Sequence, residues 1–157
     1  MKNKPDFLRE QKARAHAHCK ESVRTRMERI LGQLEDIKAG LTAETKSSAG
    51  DKHETARAML HLEREKLGRQ LVLLEKENEL LNKLAKHQGK AQVGVGSLVK
   101  TSQGLYYIAI SAGEFKDGED RVHCVSAPSP IGQALLGGKL HQTLSFRERS
   151  FEILGLA

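Results

Sequence analysis

Apolar residues in the first half of the chain recur with a helical period. Val23, Met27, Ile30, Leu34, Ile37 and Leu41 are spaced 4, 3, 4, 3, 4, the seam of a helix that buries one stripe against another helix. Leu60, Leu67, Leu74 and Leu81 then recur every seven residues, with Leu71 and Leu84 in support. No proline lies between Asp6 and Ala127, and from Phe7 to about Lys86 the chain is dominated by Leu, Glu, Lys, Arg and Ala, which are helix formers. The two stripes mirror each other. Leu41 with Leu60, Leu34 with Leu67, Ile30 with Leu71 and Met27 with Leu74 are symmetric about the bond between Gly50 and Asp51. Antiparallel arms produce such symmetry, whereas a parallel intermolecular coiled coil running through position 50 has no reason to. Gly50 accepts positive φ, and Ser47, Ser48 and Asp51 around it are turn and capping residues. The pattern predicts an antiparallel helical coiled-coil hairpin over 20–86 with its tip at 47–55. Arms of about 27 residues at 1.5 Å per residue make a rod of roughly 40 Å.

The period changes after Lys86-His87-Gln88-Gly89-Lys90, so 87–92 reads as a linker. Beyond it, Ser97 to Thr101, Leu105 to Ser111, Arg121 to Val125 and Ser150 to Leu156 are strand-like, with turn signals at Ser102-Gln103-Gly104 and Asp117-Gly118. Ser129 before Pro130 and Gly137 after Leu136 bracket one short helix. The expected fold class is α+β: the hairpin, then a small antiparallel β-rich domain over 93–157.

Charge sharpens this division. The chain has 157 residues with Lys+Arg 26, Asp+Glu 20 and net charge +6. Up to Lys90 there are 20 basic and 14 acidic residues, and from Ala91 onward 6 of each, so all the excess lies in the first part. Residues 1–26 alone carry 8 basic and 3 acidic side chains, and 1–19 reads as a basic N-terminal extension. It is either a nucleic-acid or polymerase contact, or simply a solvated helix face or frayed tail. No apolar run approaches the ~20 residues needed to cross a bilayer, and Met1-Lys2-Asn3-Lys4-Pro5 is not followed by the apolar stretch of a signal peptide. A cytoplasmic protein without a membrane role is expected. Cys19 and Cys124 form no CxxC pair or disulfide framework and are expected as free thiols.

Candidate chemistry converges on the tip. Asp51 and Glu54, three apart at the start of the second arm, share a helix edge, and two such carboxylates can share a divalent cation. Two ligands leave most of an octahedral Mg²⁺ shell to water or to another molecule, so the tip is half of a metal site that a partner must complete. The competing reading is a capping box, in which Asp-x-x-Glu satisfies backbone amides. His16, His18 and Cys19 invite a zinc reading, but neighbours at i and i+2 diverge on a helix, leaving only His16 and Cys19 on one edge. His53 at the tip is a lone histidine that either touches phosphate or is solvated.

Two stretches resemble a known family. Gly50-Asp51-Lys52-His53-Glu54-Thr55-Ala56 is similar to the tip of the bacterial Gre transcript-cleavage factors, Gly-Asp-x-x-Glu-Asn-Ala. Ser129-Pro130-Ile131-Gly132-Gln133-Ala134-Leu135-Leu136-Gly137-Gly138-Lys139 is similar to their Ser-Pro-Ile-x-x-Ala-Leu-Leu-Gly-x-Lys. The resemblance covers roughly 20–157. It implies an FKBP-like C-terminal domain that docks on RNA polymerase, with Ser129, Pro130, Ile131 and Lys139 in the docking motif, while the coiled coil enters the secondary channel. It further implies that Asp51 and Glu54 help to hold a second Mg²⁺ shared with the polymerase and to orient the water that cleaves the 3′ end of backtracked RNA. The chain is then an accessory factor with no cofactor of its own, expected as a monomer because its seam is intramolecular. Thr55 stands where the family usually has Asn, Ala58 where it has an aromatic, and Gln133 where it has a basic residue. Two alternatives follow: a secondary-channel regulator without cleavage activity, or a coiled-coil adaptor unrelated to transcription. The pair Tyr106-Tyr107 is too little to argue prolyl isomerase activity.

Overall fold

The structure, a computed structural model, describes residues 5–46 and 50–157, and for 44–46 and 51 the backbone alone. The turn residues Ser47 and Ser48 therefore lie outside the described residues. Helix α1 spans Pro5–Lys46 and helix α2 spans Asp51–Leu84. The chain forms two compact units: Val23–Asn78, and residues up to Ser22 joined with Glu79–Ala157.

The Val23–Asn78 unit is made of helix alone. Ile30, Ile37, Leu67 and Leu74 are buried in one cluster, with Met27, Leu34, Leu41, Leu60 and Leu71 packed against it. These are the seam residues of the heptad pattern. Arg26 Nη2 pairs with Glu77 Oε2 at 2.9 Å, and a Cβ added at Gly40 would lie 3.3 Å from Leu60 Cδ1. Moving forward from 26 to 40 on α1 thus means moving back from 77 to 60 on α2, and the two helices run in opposite directions. Each buried Leu or Ile of the seam contributes about 1.5–3 kcal/mol of apolar burial.

The other unit carries six strands: β1 (Leu98–Thr101), β2 (Gly104–Ala109), β3 (Gly113–Asp117), β4 (Asp120–Ser126), β5 (Thr143–Phe146) and β6 (Arg149–Leu156), with helix α3 (Pro130–Leu135) between β4 and β5. The sheet order is β3-β4-β2-β1-β6-β5. An antiparallel sheet was the expectation, and the structure corrects it: β2 and β4 pair in parallel, with Leu105 opposite Val122 and Ala109 opposite Ser126. The physical reason is burial. The chain reverses twice, at 110–112 and in the β3–β4 hairpin, and β4 takes the place beside β2 because it brings buried Val122 and Cys124. β3, half-exposed along its length, is left at the edge.

Both faces of the central strands are covered. On one face Val99, Ile108, Phe151 and Ile153 form a core with Val93 and with Leu135 of α3. Side chains alternate along a strand, so Leu98 and Tyr107 point the other way, yet each is 0% exposed. Residues 5–22 of α1 cover that second face. Leu8, Gln11, Ala15 and Cys19 are all buried. A Cβ on Gly155 of β6 would meet Leu8 Cδ1 at 2.7 Å, and His16 Nδ1 lies 2.8 Å from the Tyr107 hydroxyl. Residues 5–22 are therefore packed helix and not a frayed tail.

Candidate functional site

The start of α2 is defined by its hydrogen bonds. The Gly50 carbonyl accepts from Glu54 N at 3.2 Å and from His53 N at 3.0 Å, which makes Gly50 the N-cap and Asp51 the first helical residue. Asp51 and Glu54 then stand three apart within the first turns, on one helix edge. A capping box requires its first side chain at the N-cap and its Glu at the third helical position. Those positions belong to Gly50 and His53, so the capping-box alternative does not fit this backbone. Acidic residues in a first turn favour the helix through its dipole, and the Glu54 side chain is exposed.

The 129–139 stretch folds on itself before it can serve anything else. Ser129 Oγ accepts from Gly132 N at 3.1 Å and donates to Ser126 O at 2.6 Å, capping α3. Pro130 occupies the first turn of that helix, where a missing N–H costs nothing. Ile131 packs on the sheet core, and Leu135 is buried in it. Any side chain at Gly132 would collide with backbone, since its Cβ would lie 2.2 Å from Ser126 O and 2.7 Å from Ala127 O. Gly137 has φ +79, the left-handed conformation that ends the helix. Among the proposed docking residues, Pro130 and Lys139 are exposed, while Ser129 and Ile131 are partly buried and structurally engaged.

His16, His18 and Cys19 do not converge on a common point. His16 meets Tyr107, His18 Nε2 lies 2.9 Å from Ala112 O with its ring 5.4 Å from Phe115, and Cys19 meets Cys124. No group of three or more His, Cys, Asp or Glu placed to hold a metal occurs among the described residues. Neither cysteine is in a disulfide, and both are buried. A hydrogen bond with the Cys19 thiol, working against burial, holds the Cys124 thiol below its usual range.

Contacts across the second sheet face were not visible in the sequence, because their partners are far apart along the chain. Lys12 Nζ donates to His87 Nδ1 at 2.9 Å and to the His87 carbonyl at 3.3 Å. Gln11 Nε2 donates to Asp117 Oδ2 at 3.0 Å, with the Arg14 guanidinium on the same carboxylate. The Gln11 bond first, and Arg14 after it, holds the Asp117 carboxyl below its usual range despite some desolvation. The only signal in the sequence was the basic run itself, and within it the buried positions 8, 11, 15 and 19 at helical spacing.

Compared with family models and with curated proteins, the chain matches none.

Proposed function

We propose that the chain is a Gre-like factor that binds RNA polymerase, inserts a coiled-coil tip into the secondary channel and stimulates cleavage of backtracked RNA at its 3′ end. What carries this reading is the position of the acidic pair. The seam that is symmetric about the Gly50–Asp51 bond packs into one cluster between two opposed helices, and α2 begins at that bond with Asp51 and Glu54 on one edge. Carboxylates at the end of a coiled-coil hairpin reach into a narrow channel that a globular body cannot enter.

In this scheme Asp51 and Glu54 supply two oxygen ligands and a negative edge that orients the attacking water. Asp51 and Glu54 would help to hold a divalent cation together with polymerase groups, and such a cation would supply stabilisation of the attacking and leaving oxygens. Two carboxylates suit such a role because they fill only part of an octahedral shell. The factor has no active site of its own and requires the polymerase to complete one. The sheet unit, FKBP-like in this reading, docks outside the channel. Pro130 and Lys139 make that contact, since Ser129 and Ile131 are engaged in the fold. The factor acts in the cytoplasm as a monomer. No helix among the described residues is long and apolar enough to cross a membrane.

The test is RNA shortening in stalled, backtracked elongation complexes. Asp51→Ala and Glu54→Ala should each abolish Mg²⁺-dependent shortening while polymerase binding persists. Binding without shortening by the wild-type chain would support the regulator that lacks cleavage. Absence of polymerase subunits from a pull-down would favour an adaptor unrelated to transcription.

A further inference from the structure

A cleft in the unit that holds the sheet lies where residues 5–22 of α1 meet the end of α2, the segment after it and β6. It encloses about 810 Å³ and is lined by Arg9, Lys12, His16, His87, Lys90 and Tyr107 among others. Its size falls within the roughly 300–1,000 Å³ typical of small-molecule sites. Among the described residues no Asp or Glu lines it. Ala157 also lines it, and its backbone oxygen already accepts from Leu98 N at 2.9 Å.

Basic side chains on a surface are usually spread apart or paired with acids. Here three cations and two imidazoles share one concavity. Lys12 is half-buried, and among the described residues no carboxylate pairs with it. Its ammonium donates to His87 Nδ1, so the neutral His87 ring carries its proton on Nε2 and has a donor left to offer. The Tyr107 hydroxyl is fixed against His16, and burial, which pushes its acidity far down, keeps it protonated as a hydrogen-bonding group. Enclosure shows in the protonation of the groups, and neighbouring lysines add to it at the two histidines. Burial and then the Lys20 and Lys12 charges lower the affinity of His16 for a proton. Burial and then Lys12 and Lys90 do the same to His87, and burial alone lowers Lys12. An anion entering the cleft would offset the lysine charges felt by His16 and His87, while a cation would add to them.

We propose that this cleft is a binding site for a small phosphate-bearing molecule, with Lys12 and Arg9 as its principal charge partners and the His87 ring as an uncharged donor. Phosphate chemistry is favoured over a single carboxylate because several donors converge from separate elements, and a phosphoryl group offers several acceptor oxygens to meet them. A phosphorylated small molecule is favoured over a nucleic-acid strand because the cationic groups line one cleft and include half-buried ones that a passing backbone would not reach. The site is independent of the cleavage proposal, since it uses none of the residues assigned there.

The probes are pyrophosphate and a nucleoside triphosphate, titrated into the full chain by calorimetry at constant ionic strength. Saturable one-to-one binding is expected for at least one of them. Arg9→Gln, an exposed change that leaves the packing alone, and Lys12→Gln should each weaken binding about tenfold or more. Lys66→Gln removes one positive charge from α2 at a position that does not line the cleft, and should leave binding unchanged. Binding by the triphosphate alone would identify a nucleotide ligand, and equal binding of both would identify the phosphates as the recognised part. The proposal is overturned if neither probe saturates, if Arg9→Gln binds as the wild type does, or if Lys66→Gln weakens binding equally. It is also overturned if only a single-stranded RNA oligonucleotide binds.

Discussion

Individual residues of the 129–139 stretch have structural duties that account for its composition. Ser129→Ala removes the α3 cap and should lower unfolding free energy by about 1 kcal/mol. Gly132→Ala forces a methyl group against two backbone carbonyls that cannot move aside as a flexible side chain would, and should cost more, about 1–3 kcal/mol. Urea denaturation of the two variants checks the order, and a smaller loss for Gly132→Ala would contradict the packing described. Ser129, Pro130 and Gly137 were legible in advance because capping chemistry is local. Gly132 was not, since its need arises from the approach of the 126–127 backbone. Burial, then Lys20 and Lys12, holds His16 below its ordinary value, so the unfolded chain takes up that proton more readily. The contribution of the neutral ring is fully present above about pH 6.5 and is lost as pH falls through the depressed folded value. His87 acts in the same direction. Asp117, whose carboxyl is also held down, loses its contribution only below about pH 4. Stability should therefore fall between pH 7.5 and 5.5, less steeply in His16→Gln. Parallel pH profiles for the two proteins would remove His16 as a source of the slope.

Among the elements, those with a strong period were the ones the sequence revealed. Heptads gave the seam of α1 and α2 because each seam position is buried by the same neighbour type, turn after turn. Leu67→Ala should cost about 2–5 kcal/mol, whereas Leu62→Ala, at a position 66% exposed, should change stability by less than about 0.5 kcal/mol. Chemical denaturation monitored by helical circular dichroism separates them, and equal losses would place the seam on the wrong face. β1, β2, β4 and β6 were found from their apolar runs. β3 and β5 were missed because edge strands bury little: Glu114, Lys116, Thr143 and Ser145 face water. The parallel pairing of β2 with β4 left no trace in either strand, since strand direction is set by the connections and by which strand has more to bury. The Tyr-Tyr-Ile-Ala-Ile run of β2 did carry a further message. A strand apolar at consecutive positions is covered on both faces, and the second cover is the basic N-terminal segment.

For the whole molecule, the net charge of +6 acquires a location and a use. The charged residues of 5–22 sit on a helix whose other side closes the sheet, and two of them, Arg9 and Lys12, line one cleft. The acidic pair lies elsewhere, at the start of α2, on a helix pair whose basic and acidic residues nearly balance. The cationic concavity belongs to one compact unit and the carboxylate edge to the other, and the proposed delivery of Asp51 and Glu54 to a polymerase uses only the latter. The decisive measurement is RNA length in backtracked elongation complexes incubated with Mg²⁺ and either the wild-type chain or Glu54→Ala. Shortened transcripts are expected with the wild type and none above background with Glu54→Ala, at equal occupancy of the polymerase. Equal shortening by both proteins would contradict the proposed role of Glu54.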